Sequence, residues 1–272
     1  MRGLIRAVII GVTGRMGQAL VRVACEFAQL RITGAVAPSV SPALGRDAGE
    51  LAGAGRLGVV VTDDLPAALA HGDVALDFSS AQVTRANLMA CRAAHTPLLL
   101  GTTGFADELA PVFDAVAGDI PLLVAPNTSV AVTLLLELVR TAAKALPVDF
   151  DINVIEAHHR MKRDAPSGTA LALGKAASEG RGASHPGAAR GAAGGAGPRR
   201  QGDIGFAVVR AGDIIGEHEV LFAGQGEQLS LAHRATDRAI FARGALQAAL
   251  WLPSQAPGRY TMRDFLLYKI DT

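Results

Sequence analysis

Two adjacent histidines, His158 and His159, head a cationic cluster. Five side chains that can carry positive charge (His158, His159, Arg160, Lys162 and Arg163) fall within six positions. A charge run is ordinarily a solvated face, but paired histidines are an odd choice for solubility alone. On a strand, consecutive side chains point to opposite sides, so the two would take different roles. Histidine can donate a proton near neutral pH, and a lysine ammonium can assist it or stabilise developing negative charge. Just downstream, Ser167-Gly168-Thr169 precedes the helical pattern ALALGKAA. A helix N-terminus presents unpaired N–H groups with partial positive charge, which favours an anion. Cations beside such a turn point to a small anionic substrate, a dicarboxylate. No metal is expected, because no third ligand follows at a recognisable spacing.

A second candidate lies near the start of the chain, where Gly11-Val12-Thr13-Gly14-Arg15-Met16-Gly17 follows an apolar run and opens a helical pattern. This is where the pyrophosphate of a dinucleotide sits in a strand–turn–helix unit. Glycine lets the backbone approach the phosphates without a Cβ in the way. The spacing is GxxGxxG, and its other reading is a tight turn with close helix–sheet packing. An acidic residue about 20 positions further on usually holds the adenosine ribose. The corresponding stretch here reads Ala35-Val36-Ala37-Pro38-Ser39 and has no acid. That removes the main reason to prefer NAD, and Arg15 could approach a 2′-phosphate, which would favour NADP. Two further strand ends carry polar turns, Gly101-Thr102-Thr103-Gly104 and Ala125-Pro126-Asn127-Thr128-Ser129. Their hydroxyls and amide could contact ribose or nicotinamide, or equally cap the helices that follow.

These groups need elements to position them. Apolar strand-like runs at 4–10, 31–37, 59–61, 73–78, 97–100 and 120–124 alternate with helical patterns at 18–28, 64–70, 81–94 and 106–117. Continuous apolar strands between helices imply a parallel sheet covered on both faces. After Asn127 the pattern changes. A helix over 130–146, a strand over 151–156 and a helix over 169–178 precede three strand-like runs at 204–210, 215–222 and 228–233, which suggest an antiparallel meander. A last helix spans 238–250. The expected fold is therefore α/β, a Rossmann-like dinucleotide-binding domain plus an α+β domain with an open mixed β-sheet. The first domain is expected over 1–129 with 238–272 returning to it, and the substrate-binding and oligomerisation domain over 130–237. The Gly/Ala-rich segment 180–202, with four arginines, has no hydrophobic periodicity and is expected to be a mobile loop.

Composition narrows the function class. The 272 residues carry a net charge of +1, which argues against a general nucleic-acid binder. Half are hydrophobic but only 4% aromatic, so recognition should rest on N–H groups, hydroxyls and charge more than on ring stacking. Cys25 and Cys91 cannot form a disulfide framework, and both are expected to be buried thiols in helices. No signal-peptide core or membrane span is read, so a cytoplasmic protein is expected.

The chain resembles the 4-hydroxy-tetrahydrodipicolinate reductase (dihydrodipicolinate reductase) family. The stretches that carry the likeness are GVTGRMG, LGRDAGELAG, GTTGF, EAHHRMKRDAPSGTA, IGFAVVRAGDIIGEHEVLF and GALQAALWL, in family order along nearly the whole chain. The resemblance implies reduction of a cyclic imine dicarboxylate at C4 by NADPH or NADH, in lysine and diaminopimelate biosynthesis. It implies His158 as proton donor or acceptor and Lys162 as second proton donor. His159, Ser167, Gly168 and Thr169 are then substrate contacts. Gly11, Val12, Thr13, Gly14, Arg15, Met16, Gly101, Thr102, Thr103, Ala125, Pro126, Asn127 and Thr128 are cofactor contacts, and Ala37 stands at the usual acidic ribose position. It also implies a homotetramer formed through the second domain. The alternatives are another Rossmann-type reductase of a small dicarboxylate and a non-catalytic dinucleotide sensor. An acylating dehydrogenase would need a thiolate, and neither cysteine lies in a plausible site.

Overall fold

The computed structural model describes residues 3–105, 109–182, 190–191 and 199–271. Its chain divides into two compact units, Met1–Val130 with Ala239–Thr272, and Ala131–Arg238. The first opens with β1 (Ile5–Ile10), α1 (Arg15–Ala24), β2 (Leu30–Val36), α2 (Ala48–Ala52), β3 (Val61–Thr62), α3 (Leu65–Leu69), β4 (Val74–Asp77), α4 (Thr84–Ala93), β5 (Leu98–Leu100), α5 (Ala110–Ala117) and β6 (Pro121–Val124). The second is built from α6 (Val130–Ala145), β7 (Asp151–His158), α7 (Gly168–Gly180), β8 (Arg190–Gly191), β9 (Ile204–Arg210), β10 (Gly216–Ala223) and β11 (Gln228–Ala235). The chain then rejoins the first unit through α8 (Ala239–Trp251), β12 (Gly258–Tyr260) and α9 (Met262–Asp271).

The first unit holds a seven-stranded sheet ordered β12-β6-β5-β4-β1-β2-β3, with every pairing parallel. Successive side chains on its strands enter opposite cores. Ala7, Ile9, Leu76, Leu99 and Leu123 pack with Leu20 of α1 and Ala245 and Leu246 of α8. Val8, Ile10, Ala75, Leu98, Leu100 and Leu122 pack with Leu69 of α3, Leu88 of α4 and Phe113 of α5. Burial on both faces is why these strands read as unbroken apolar runs. Cys91 is buried as expected, whereas Cys25 is exposed. The reason is local: α1 ends at Ala24, so Cys25 lies past its buried stripe.

The second unit is a mixed five-stranded sheet, β11-β10-β7-β9-β8. One face is covered by α6 and α7, through Leu135, Val139, Leu173 and Ala177 against Val154, Phe206, Val220 and Phe222. The three-stranded meander is not formed. β10 and β11 make an antiparallel hairpin, but β7 lies between β10 and β9, antiparallel to the first and parallel to the second. The connection from β7 to β9 contains α7, the crossover that two parallel strands require. Of segment 180–202, expected as a mobile loop, 183–189 and 192–198 lie outside the described residues. Arg190–Gly191 pair with β9, and the Arg199 guanidinium donates to Asn153 Oδ1 at 2.8 Å and the Ile152 carbonyl at 2.6 Å.

Candidate active site

Strand register places the expected cofactor turns in one row. Ile10 stands opposite Val36 and Asp77, Asp77 opposite Leu100, and Leu100 opposite Val124. The residues that follow, Gly11, Ala37, Phe78, Gly101 and Ala125, therefore line the carboxyl edge of the sheet, where ligands of open α/β sheets bind. Gly11 has φ +84°, and a Cβ there would lie 2.8 Å from the Phe78 carbonyl oxygen. A Cβ on Gly17 would lie 2.2 Å from the Gly11 carbonyl oxygen. Only glycine fits either place, so the turn is tight and α1 starts directly from it. Gly14 is the N-cap of α1, with no side-chain cap bond and no acidic residue in the first turn. That leaves a helix start suited to a pyrophosphate. Val12 is buried, Thr13 and Met16 are half-buried, and Arg15 is exposed at the first helical position.

Around this edge several expected contacts have internal partners. The Thr102 hydroxyl donates towards Asp77 Oδ1 at 3.3 Å. The Thr128 hydroxyl donates to the Phe241 carbonyl at 2.6 Å, and Asn127 Oδ1 accepts from the Ser129 N–H at 2.9 Å. Thr103 and Pro126 are exposed, while Ala37 and Ala125 are buried. Asp77, fully buried, also accepts from the Ser79 hydroxyl and Asn87 amide. The sequence reading missed this knot, which holds the ends of β4 and β5 and the start of α4 together.

The second unit gathers the cationic segment. β7 continues through His158, whose side chain points to the helix-covered face together with Glu156. Glu156 is buried and takes four hydrogen bonds. Arg210 of β9 donates to both carboxylate oxygens, at 2.8 and 2.9 Å, the Ser167 N–H donates at 3.1 Å, and His158 Nδ1 contacts Oε2. Arg210 also donates to the Asp164 carbonyl at 2.7 Å, tying down the loop after β7. Ser167 caps α7 by accepting from the Ala170 N–H at 3.1 Å, and shares a 3.1 Å hydrogen bond with His218 Nε2 on β10. The His158 and His218 rings meet edge to face, 5.1 Å between centroids. Lys162 pairs with Asp164 at 2.8 Å. Gly168 is exposed at the first position of α7, and Thr169 and His159 are half-buried.

Electrostatics follow from this packing. Burial opposes ionisation of Glu156, but Arg210, His158 and the Ser167 N–H outweigh it and hold the carboxyl below its usual range. Burial lowers the His158 pKa; Glu156 pulls it up, while Lys162 and Arg210 push it down, and the net shift is downward. Burial and the neighbouring cations thus disfavour the imidazolium, and Nδ1 is the ring nitrogen that meets the Glu156 carboxylate. Burial, then His158, depress His218 to about 4. The sequence reading found His158 and Lys162 but not Glu156, Arg210 or His218. Glu156 stands two residues before His158, where strand alternation puts it on the same face, and that was the available signal.

The chain is similar to known proteins along nearly its whole length. Residues 5–128 match a family model described as dihydrodipicolinate reductase, N-terminus, and residues 131–266 match dihydrodipicolinate reductase, C-terminus. A 4-hydroxy-tetrahydrodipicolinate reductase of Alkalilimnicola ehrlichii is 48% identical over 96% of this chain and 98% of its own length. One from Hahella chejuensis is 45% identical over the same shares. Among solved structures, a dipicolinate-bound dihydrodipicolinate reductase from Paenisporosarcina sp. TG-14 superposes with a TM-score of 0.76 at 25% identity, covering 95% of this chain and 97% of that one. An amine dehydrogenase from Mycobacterium smegmatis, at 18% identity and a TM-score of 0.67 over 95% of each chain, shares the fold.

Proposed function

The chain belongs to the dihydrodipicolinate reductase family, and from that premise we propose that it reduces 4-hydroxy-tetrahydrodipicolinate to tetrahydrodipicolinate, in lysine and diaminopimelate biosynthesis. The observation that carries the reading is the meeting, in one unit, of the His158–Glu156 pair, Lys162 and the start of α7, under near full-length likeness to reductases. When bound, NADPH or NADH supplies a hydride to C4 of the ring. The 4-hydroxyl leaves as water, the conjugated imine takes up the electron pair, and one proton completes the product.

The residues divide as follows. The first unit holds the dinucleotide. Gly11, Val12, Thr13, Gly14, Arg15 and Met16 would hold the pyrophosphate, with Ala37 at the position that would meet the adenosine ribose. Gly101, Thr102, Thr103, Ala125, Pro126, Asn127 and Thr128 line the remaining carboxyl edge, Thr102 and Thr128 through their backbone. The glycine positions fit such a group because a Cβ would fill the space the backbone needs. The second unit holds the dicarboxylate through His159 and the Ser167-Gly168-Thr169 turn, while His158 and Lys162 manage the proton. The likeness to a dipicolinate-bound relative supports a cyclic dicarboxylate as the ligand. With no carboxylate at Ala37 to bind a free ribose 2′-hydroxyl, NADPH serves at least as well as NADH.

The sheet face of the second unit away from α6 and α7 presents Ile155, Ala157, Ala207, Val209 and Leu221. It is the face through which the chain would form a homotetramer. Among the described residues no helix is long and apolar enough to cross a membrane, and a cytoplasmic place fits a biosynthetic reductase. The test is a steady-state assay with enzymatically generated substrate and each cofactor in turn. Cofactor oxidation that needs the substrate supports the reading. Cofactor binding without any turnover would leave the sensor reading standing instead.

A further inference from the structure

Glu156 is committed to the protein on one side and to a histidine on the other. Its Oε1 accepts from Arg210 at 2.8 Å and from the Ser167 N–H at 3.1 Å, and its Oε2 accepts from Arg210 at 2.9 Å and faces His158 Nδ1. The carboxylate is 1% exposed and cannot turn without breaking the fork to Arg210. His158 Nε2, by contrast, points away from Glu156 and lies beside Gly216, where there is no side chain.

We propose that Glu156 is the positioning carboxylate of His158: anchored by Arg210 and the Ser167 N–H, it fixes the imidazole as the Nδ1–H tautomer and presents Nε2 to the ligand. The groups facing this ring are Glu156 on its own strand, Arg210 on β9, His218 on β10 and Lys162 on the following turn, with His233 on β11 behind His218. Of these only Glu156 is negative, while the Asp164 carboxylate is paired with Lys162; Glu156 is therefore the carboxylate in contact with the ring, and it stabilises the imidazolium when Nε2 takes up a proton. A dianionic ligand would add to that stabilisation. His158 therefore takes up the proton it later donates as the substrate binds.

The consequence for turnover rests on the reductase reading; the tautomer does not. Glu156→Gln separates the two. A glutamine has one acceptor oxygen, and the Ser167 N–H and Arg210 both require it. Its amide nitrogen then faces His158 Nδ1, which must become an acceptor, so the ring moves to the Nε2–H form. Histidine-labelled full-length protein, with His158 assigned through a His158→Asn variant, reports this directly in long-range proton–nitrogen spectra. Wild type should show Nδ1–H at neutral pH and Glu156→Gln should show Nε2–H. In the assay, kcat should fall by about 10²-fold with the basic limb of its pH profile moved to lower pH, and KM should change less. An Nε2–H tautomer in wild type overturns the proposal even if the variant does not fold. So does a folded Glu156→Gln protein whose tautomer and pH limb are unmoved. A correct tautomer in a chain without reductase turnover would instead sink the functional reading and leave the pair intact.

Discussion

Gly216 lies against the open side of the His158 ring: a Cβ at this position would stand 3.1 Å from Nε2. Few Cβ atoms sit so close to a neighbour, so a methyl there must push the imidazole or block it. Gly216→Ala is expected to lower kcat about tenfold while changing the melting temperature by only a few degrees, since the added group is small and the strand remains intact. Paired kinetics and thermal unfolding check this. An unchanged kcat would mean that ligand does not approach from the Gly216 side.

Replacing His158 or Lys162 by alanine should reduce kcat by about 10² to 10⁴, the range for a positioned acid or base. The two should differ in their structural cost. Lys162 makes an ion pair with the mostly exposed Asp164, and such pairs contribute about 0–1 kcal/mol. His158 is buried against Glu156 and His218, so its loss also uncovers a buried carboxylate. Full turnover in both variants would remove them from the chemistry.

Cofactor choice should follow from the end of β2. With Ala37 in the ribose position, kcat/KM for NADPH is expected to equal or exceed that for NADH in side-by-side assays. A strong NADH preference would show that another group holds the free ribose hydroxyls.

Stability should depend on pH through His218. Its folded pKa is about 4, against an ordinary value of 6.5. Between those values the unfolded chain binds the proton and the folded one does not. The protein therefore keeps the full contribution above about pH 6.5 and loses it as pH falls towards 4, by up to about 3 kcal/mol in all. Replacing His218 with Asn should flatten the melting temperature over that window. A slope unchanged by the substitution would assign the loss to other groups.

The strand-and-helix pattern of the first unit was legible because strands buried on both faces read as apolar runs, and the glycine turn announced itself by spacing. β12 and α9 escaped. Three residues, Gly258–Tyr260, are too few to show a period, although Thr261 and Asp264 form a capping signal, the Thr261 N–H donating to the Asp264 carboxylate at 2.7 Å. The insertion of β7 between β10 and β9 escaped for another reason: pairing partners are set by the crossover through α7, and adjacent strand patterns do not encode it. In the site, residue types located His158, Lys162 and the start of α7. They could not show whether the Thr102 and Thr128 hydroxyls turn outward or towards Asp77 and Phe241. Nor could they join Arg210 to Glu156, 54 positions apart.

The first unit is written into the chain in two pieces. Leu20 and Val21 of α1 share a core with Ala242, Ala245, Leu246 and Trp251, and the edge beyond β6 is closed by β12. A ribosome that has released residues 1–130 has therefore made a sheet with one face covered only in part, by α1 and α2, and with β6 as an open edge, and it must synthesise the whole of 131–238 before the rest of the cover emerges. During translation that exposed face is a liability for aggregation. The glycine turn, though encoded within the first 17 residues, gains its completed scaffold only when the last strand and helices leave the exit tunnel.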